Sequence, residues 1–363
     1  MNFRLPGPTS LPADVLDAMR KQMIDHRGAE FADLLRRITA TTQALCGARQ
    51  DLFFLSGSGW AGVESMIANT LNAGDRALAV SAGYFGEKFG EIAAVYGVNV
   101  ESLTFPDGAP LDPDAVAAYL RAHPGIRAVL LTHNESYTGV LHPLGELAAA
   151  IRASSDALIL VDAVSALGGV ATQFDAWGID ALSAASQKAL MGPPGIATVA
   201  VGPRAWEAYK TARAPRFSMD WAQYRDYFHQ GMTPFTPSLA VMNALDVAAA
   251  RIRAEGIEAV LARHERVAAF TRERVRGLGL ALFANPGAYS PTLTAVRMPD
   301  DVNGDAVRVI AREMGVELGG SWGRQQGRLL RIGHMGATSE AEIDEAVEVL
   351  GEAVARARRG GEA

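Results

Sequence analysis

One cysteine, Cys46, stands among 363 residues, so no internal disulfide can form and no pair of thiols is available to a metal. The seven histidines never fall in HxxxH or HExxH spacing, and no metal site is expected. A basic excess is missing too. With 34 Lys and Arg against 40 Asp and Glu, the net charge is −6 and both signs are mixed along the chain, which leaves no footprint for nucleic acid and no polybasic membrane patch. No apolar stretch is long enough to span a bilayer, and the start Met1-Asn2-Phe3-Arg4-Leu5-Pro6-Gly7-Pro8 lacks a charged-then-apolar signal pattern. The expectation is a cytoplasmic protein whose ligand is small. Internal repeats and low-complexity linkers are also absent.

At 49% hydrophobic and 20% charged, the chain is long enough for a large core and a second, smaller one. Short runs rich in Val, Leu and Ile alternate with Ala-rich helical stretches, the pattern of a parallel sheet buried on both faces, so the fold class is α/β. Strands are predicted at Asp51 to Leu55, Arg76 to Val80, Val98 to Leu103, Ala128 to Thr132, Ala157 to Val161, Ala181 to Ala185 and Ile196 to Val201. From Met242 to about Arg276 the chain reads as helix broken near Gly256, after which mixed strands and helices follow. This places an extended arm at 1–15, a large domain at 16–255 and a smaller α+β domain at 256–363.

The chemistry gathers around Lys188, in Ser186-Gln187-Lys188-Ala189 ahead of the rigid Gly192-Pro193-Pro194-Gly195, and Asp162, which ends the apolar run Leu158-Ile159-Leu160-Val161. A lysine amine can hold an aldehyde cofactor, and a carboxylate at a strand's end can keep a pyridine nitrogen protonated. These are the two anchors of pyridoxal 5′-phosphate (PLP). A lone Asp in that place is more readily a turn cap, and it is the lysine that shifts the balance. The turn Ser56-Gly57-Ser58-Gly59-Trp60-Ala61-Gly62 follows a strand and opens a helix, where backbone N–H groups converge on an anion. Its Gly57, Gly59 and Gly62 also fit the dinucleotide fingerprint, which keeps a nicotinamide oxidoreductase as the rival. That reading wants an acid at the end of the next strand, where Ser81-Ala82-Gly83 stands instead. Arg331, set between apolar neighbours, needs an anionic partner: either a substrate carboxylate gripped by two parallel hydrogen bonds or a protein carboxylate.

Several separated motifs, in order, carry a resemblance: Pro6-Gly7-Pro8-Thr9, His26-Arg27-Gly28-Ala29-Glu30-Phe31, Ser56-Gly57-Ser58-Gly59, His133-Asn134-Glu135-Ser136-Tyr137-Thr138-Gly139-Val140, Val161-Asp162-Ala163-Val164-Ser165, Ser186-Gln187-Lys188-Ala189 and Leu330-Arg331-Ile332-Gly333. Across nearly its whole length the chain resembles the class V, fold-type I PLP aminotransferases, and within them the alanine/serine:glyoxylate group. The resemblance implies a mostly parallel seven-stranded sheet and transfer of an amino group from alanine or serine to glyoxylate or pyruvate. It implies that Lys188 carries the cofactor and acts as the base, and that Asp162 pairs with the ring nitrogen. Ser58, Gly59 and Trp60 would hold the phosphate. Ser136 and Gln187 would sit by the ring hydroxyl, Val164 and Phe85 against the two ring faces, and Arg331 on the substrate carboxylate. Family members are homodimers in which a segment like Thr233-Pro234-Phe235-Thr236-Pro237-Ser238 reaches the partner's phosphate pocket, with Thr236 the candidate contact and Thr233 the alternative. Trp60, Asn134 and Tyr137 depart from the group's usual residues. The carboxyl-terminal half also resembles pyridoxamine:pyruvate transaminase, whose phosphate-loop position holds a glutamate; here Glu64 lies a turn further on. Cysteine desulfurases share the fold but need a mobile cysteine in the carboxyl-terminal half, and Cys46 is expected to be a small core residue at a helix end.

Overall fold

The computed structural model describes residues 1–49 and 51–360. Its strands in chain order are β1 (Asn2–Arg4), β2 (Asp51–Ser56), β3 (Arg76–Ser81), β4 (Asn99–Thr104), β5 (Ala128–Thr132), β6 (Asn134–Glu135), β7 (Val140–Leu141), β8 (Leu158–Asp162), β9 (Ala181–Ala185), β10 (Ile196–Val201), β11 (Ala281–Leu282), β12 (Leu293–Arg297), β13 (Val316–Leu318) and β14 (Leu329–Gly333). All seven strands expected from the apolar runs are present within a residue or two. Together they form one seven-stranded sheet in the order β2-β10-β9-β8-β5-β3-β4. Only β10 runs antiparallel to its neighbours. The near-continuous apolar strands are buried on both faces: β5, β8, β9 and β10 have no exposed residue. Helices cover each face, as crossovers between parallel strands require.

This order decides where the loops go. β2, β9, β8, β5 and β3 all point the same way, so the turns that follow them emerge along one edge of the sheet. Those turns carry Ser58 and Gly59, Lys188, Asp162, Ser136 and Phe85. In an open α/β sheet, ligands bind at this carboxyl edge. The same order weighs against the dinucleotide reading: β2 lies at the sheet's edge, and β3, the next strand in sequence, is separated from it by β10, β9, β8 and β5. The turn after β3, Ser81-Ala82-Gly83, brings no acid to the ribose position.

The long helical stretch is two helices, Leu239–Glu255 and Ile257–Gly277, parted at Gly256, whose φ of 90° only glycine adopts without strain. Beyond it a second, smaller core forms around Val267, Val296, Val307, Leu330, Ile343 and Leu350, built on β11-β12-β14 and the three helices Ile257–Gly277, Gly304–Glu313 and Glu340–Gly360. The arm stays out of the main sheet but is not free of strand structure: β1 pairs in parallel with β13 beside that second core. Buried Arg4 fastens it by donating to Thr338 Oγ1 at 2.9 Å and pairing with Glu342 at 3.2 Å. The chain then passes so close to Gly333 that a Cβ there would run into the Leu5 carbonyl.

Candidate active site

At the carboxyl edge lies a cavity of about 160 Å³ lined by Gly59, Trp60, Phe85, Asn134, Ser136, Asp162, Val164, Ser165, Gln187 and Lys188. Eight of the residues singled out from sequence are therefore brought together. Adjacent parallel strands explain the central pair: Asp162 ends β8, and Lys188 lies three residues past β9, which pairs with β8 in parallel.

Burial pushes the Asp162 carboxyl up to about 6, opposed by an N–H from Val164 to its Oδ1 at 2.8 Å and by the nearby Lys188 charge. The turn-capping role weighed for a lone Asp is thus real, and it occupies one lone pair only. Burial also lowers the Lys188 amine to about 8, with Arg331 adding to the depression and Asp162 opposing it. Lys188 Nζ donates to the Pro6 carbonyl at 2.5 Å, and the arm passes so near that a Cβ on Gly7, whose φ is 116°, would come within 2.6 Å of Lys188 Cδ. Thr9 N–H to Gln187 O at 3.1 Å holds the arm there.

The first helix after β2, Gly59–Thr70, has Ser58 at its N-cap with no side-chain cap bond, so the Ser58 hydroxyl remains unspent beside the N–H groups of Gly59 and Trp60. Gly59 is forced by packing: a Cβ would meet Val164 Cγ2 at 2.7 Å. Trp60 and Phe85 stack with ring centroids 5.8 Å apart. Gln187 Oε1 and Asn134 Oδ1 are buried and without hydrogen-bond partners, acceptors left open in the wall of the cavity.

Arg331 does not line this cavity, yet it sits beside it and is almost wholly buried. Among the described residues it makes no ion pair; buried Glu135 acts on its charge only from a distance, and burial lowers the guanidinium to about 10. Its Nε and Nη2 donate to Gly320 O at 2.9 and 2.6 Å, and its Nη1 to Ser136 O at 2.9 Å. Of the five guanidinium N–H groups, one remains on each terminal nitrogen. Arg324 is exposed and pairs with Glu87 and Asp107 at 2.9 and 3.0 Å. Thr236 is exposed and lies outside this cavity, while Thr233 Oγ1 donates to Phe235 O at 2.8 Å. Cys46 is buried at the end of the helix Ala29–Cys46, its thiol pushed up to about 12 by burial, as expected of a core residue.

Three features of the site are not evident in the sequence. Asn134 stands out there only as a departure from a motif, and Ser165 only as part of one, yet both line the cavity. Glu135 is fully buried and pushed up to about 7 by burial, although its oxygens accept from Phe85 N and Gly86 N at 2.9 and 3.2 Å and from Tyr137 N at 3.0 Å. A carboxylate flanked by polar residues gives no sign of such burial.

A model of the class-V aminotransferase family matches residues 2–343. The chain belongs to the class-V aminotransferases. It is 38% identical to a protein described as the soluble hydrogenase small subunit of Synechococcus sp., over 95% of this chain and 91% of that one. It is 35% identical to the L-aspartate–glyoxylate aminotransferase of Paracoccus denitrificans, over 93% of this chain and 87% of the other. Among solved structures, the alanine–glyoxylate aminotransferase of Nostoc sp. superposes with a TM-score of 0.93 at 30% identity, covering 97% of this chain and 94% of that chain. The fold is therefore fold type I, the activity an aminotransferase, and the cofactor PLP. The cavity fits that group: an amine and a carboxylate on its walls, unpaired polar acceptors between them, and an uncapped helix start at one side. The oxidoreductase alternative is set aside.

Proposed function

We propose that this aminotransferase moves an amino group from a small L-amino acid, alanine or serine, to a small 2-oxo acid, glyoxylate or pyruvate. The observation that carries the reading is Arg331: a buried guanidinium that, among the described residues, makes no ion pair, feels Glu135 only at a distance, and keeps one unspent N–H on each terminal nitrogen, beside the cavity that holds Lys188. That fork matches an α-carboxylate.

When bound, PLP supplies an aldehyde and an electron-poor ring that stabilises negative charge at the donor's Cα. The rest falls to the chain. Lys188 would hold the cofactor's aldehyde through its Nζ. Its amine, lowered to about 8, is then a base of suitable strength to take the Cα proton at Nζ and return it elsewhere. Asp162 keeps the ring nitrogen protonated. Its carboxyl sits at about 6 with only the Val164 N–H and the Lys188 charge to favour ionisation, and a pyridinium against it would favour the charged form further. Ser58 with the N–H groups of Gly59 and Trp60 takes the phosphate at the helix N-terminus. Phe85 and Val164 fix the ring plane, and Ser136 and Gln187 flank its hydroxyl. The domain division at 1–15, 16–255 and 256–363, a cytoplasmic location, and a homodimer in which Thr236 reaches the partner's phosphate belong to the same proposal. Thr236 is preferred because the Thr233 hydroxyl is already bonded to Phe235.

Pyridoxamine as donor is the second reading. Against it, Glu64 accepts from Tyr96 Oη at 2.7 Å and does not line the cavity, so no carboxylate opposes a phosphate there. Nor does one buried cysteine furnish the thiolates of an iron–sulfur cluster. Competition among L-alanine, L-serine, L-aspartate and pyridoxamine, with glyoxylate or pyruvate as acceptor, tests the proposal. Alanine or serine should give the highest kcat/KM. A preference for pyridoxamine would overturn it.

A further inference from the structure

The segment between β13 and β14 reaches back across the site. Its Gly320 carbonyl takes two of the Arg331 hydrogen bonds, and its Trp322 ring covers the guanidinium, with Cζ 4.8 Å from the ring centroid. That contact is a cation–π pair in a water-poor place, where such pairs are strongest. The Trp322 indole Nε1 is buried and makes no hydrogen bond, so this wall also holds an unspent donor.

What holds the segment down comes from the opposite side. Tyr137 Oη donates to Trp322 O at 2.5 Å and accepts from Gln325 N at 3.1 Å, so a single hydroxyl bridges the two ends of the Trp322–Gln325 turn, while the Gly319 end is paired with the Arg331 backbone. The Tyr137 and Trp322 rings lie 5.2 Å apart, and Tyr84 packs edge-on to Trp322 at 5.1 Å. Tyr137 follows directly on Ser136, whose carbonyl takes the third Arg331 bond. One turn after β5 thus grips the guanidinium directly through Ser136 and indirectly through Tyr137 and the loop.

We propose that Tyr137 is a positioning residue for the substrate-carboxylate clamp: its hydroxyl pins the Trp322–Gln325 turn so that the Trp322 ring stays over the Arg331 plane, which Gly320 O and Ser136 O hold with two N–H groups facing the substrate. This rests on the reading of Arg331 given above. Tyr137 does not line the cofactor cavity, so its loss weakens carboxylate recognition and spares cofactor binding.

The test uses Tyr137→Phe, which removes the hydroxyl and keeps the ring. In the PLP-loaded enzyme without acceptor, the half-saturation for bleaching the yellow absorption is measured with L-alanine and with L-alaninamide, which has the same side chain and no carboxylate. Tyr137→Phe should raise the value for L-alanine by about 10-fold, the scale of one or two lost hydrogen bonds, and leave that for the amide and the resting spectrum unchanged. Equal increases for both donors, or none, would overturn the proposal. Arg331→Ala separates the two levels. If it leaves L-alanine binding unchanged, the clamp itself is wrong; if it weakens L-alanine binding while Tyr137→Phe does not, the latch alone fails. Should Tyr137→Phe fold poorly, Trp322→Leu in the loop gives the same comparison, with the same outcomes expected.

Discussion

The two ends of the active site are built differently. The cofactor end comes from the turns after β2, β8 and β9, all leaving one edge of one sheet, and their positions are fixed by buried strands on either side. The substrate end is assembled from three distant pieces: the arm at Pro6–Gly7, the turn Ser136–Tyr137, and β14 with the loop before it. The first is rigid because a parallel sheet allows little slippage among buried strands. The second exists only when the smaller core docks on the larger one, through contacts such as Arg324 with Glu87 and Asp107. Chemistry is placed on the frame, and selectivity on the parts that bridge it.

The comparison breaks first at Lys188. Lys188→Ala should lower turnover by at least about 10⁴-fold, the upper range for a general base that also carries the cofactor, while circular dichroism stays that of the folded protein. A rate near normal would end the assignment. Asp162→Asn should cost roughly 10²- to 10³-fold in kcat through the loss of charge at the ring. It should also stabilise the cofactor-free protein. The Asp162 carboxyl sits at about 6 in the fold, against an ordinary value of 3.8, so the ionised group costs the fold about 3 kcal/mol above pH 6 and progressively less as pH falls toward 3.8. The melting temperature gained by Asp162→Asn in the PLP-free protein should therefore be largest above pH 6 and shrink in acid; a gain independent of pH would contradict it.

At the junction of the two ends, Gly7→Ala forces a methyl group against the Lys188 stem at a φ of 116°. It should slow PLP loading by about 10-fold, corresponding to the 1–3 kcal/mol of local strain such positions carry, as followed by the growth of the yellow band. The smallest effect expected is on the pH profile of loading in the unaltered protein. An amine lowered to about 8 becomes neutral and reactive near pH 8, so the loading rate should rise to half its maximum there instead of near 10.5. A midpoint close to 10.5 would show that the Lys188 amine is not held as described.

The difference between the two ends also marks how far the sequence can be read. Apolar runs such as Leu158–Val161 and Ile196–Val201 announce buried strands, and a polar residue closing such a run stands out in the sequence alone. Asp162, Lys188 and the Ser58–Gly59 turn are legible for that reason. The break at Gly256 is legible because a glycine within a helical pattern is a local signal. What joins distant segments is not. Trp322 reads as an aromatic in a glycine-rich loop, and only its place over Arg331 gives it a function. The arm's proline and glycine promise an extended chain, but not β1 beside β13 or a carbonyl on Lys188. Glu135 is hidden for a similar reason: its partners Phe85 and Gly86 come from another strand's turn.

The most direct measurement is the visible absorption of the PLP-loaded protein before and after L-alanine is added with no acceptor present. A yellow band that bleaches to the pyridoxamine form, with release of stoichiometric pyruvate and absent in Lys188→Ala, is the result predicted here. A protein that stays colourless with added PLP, or whose yellow band persists with every small amino acid tried, would contradict it.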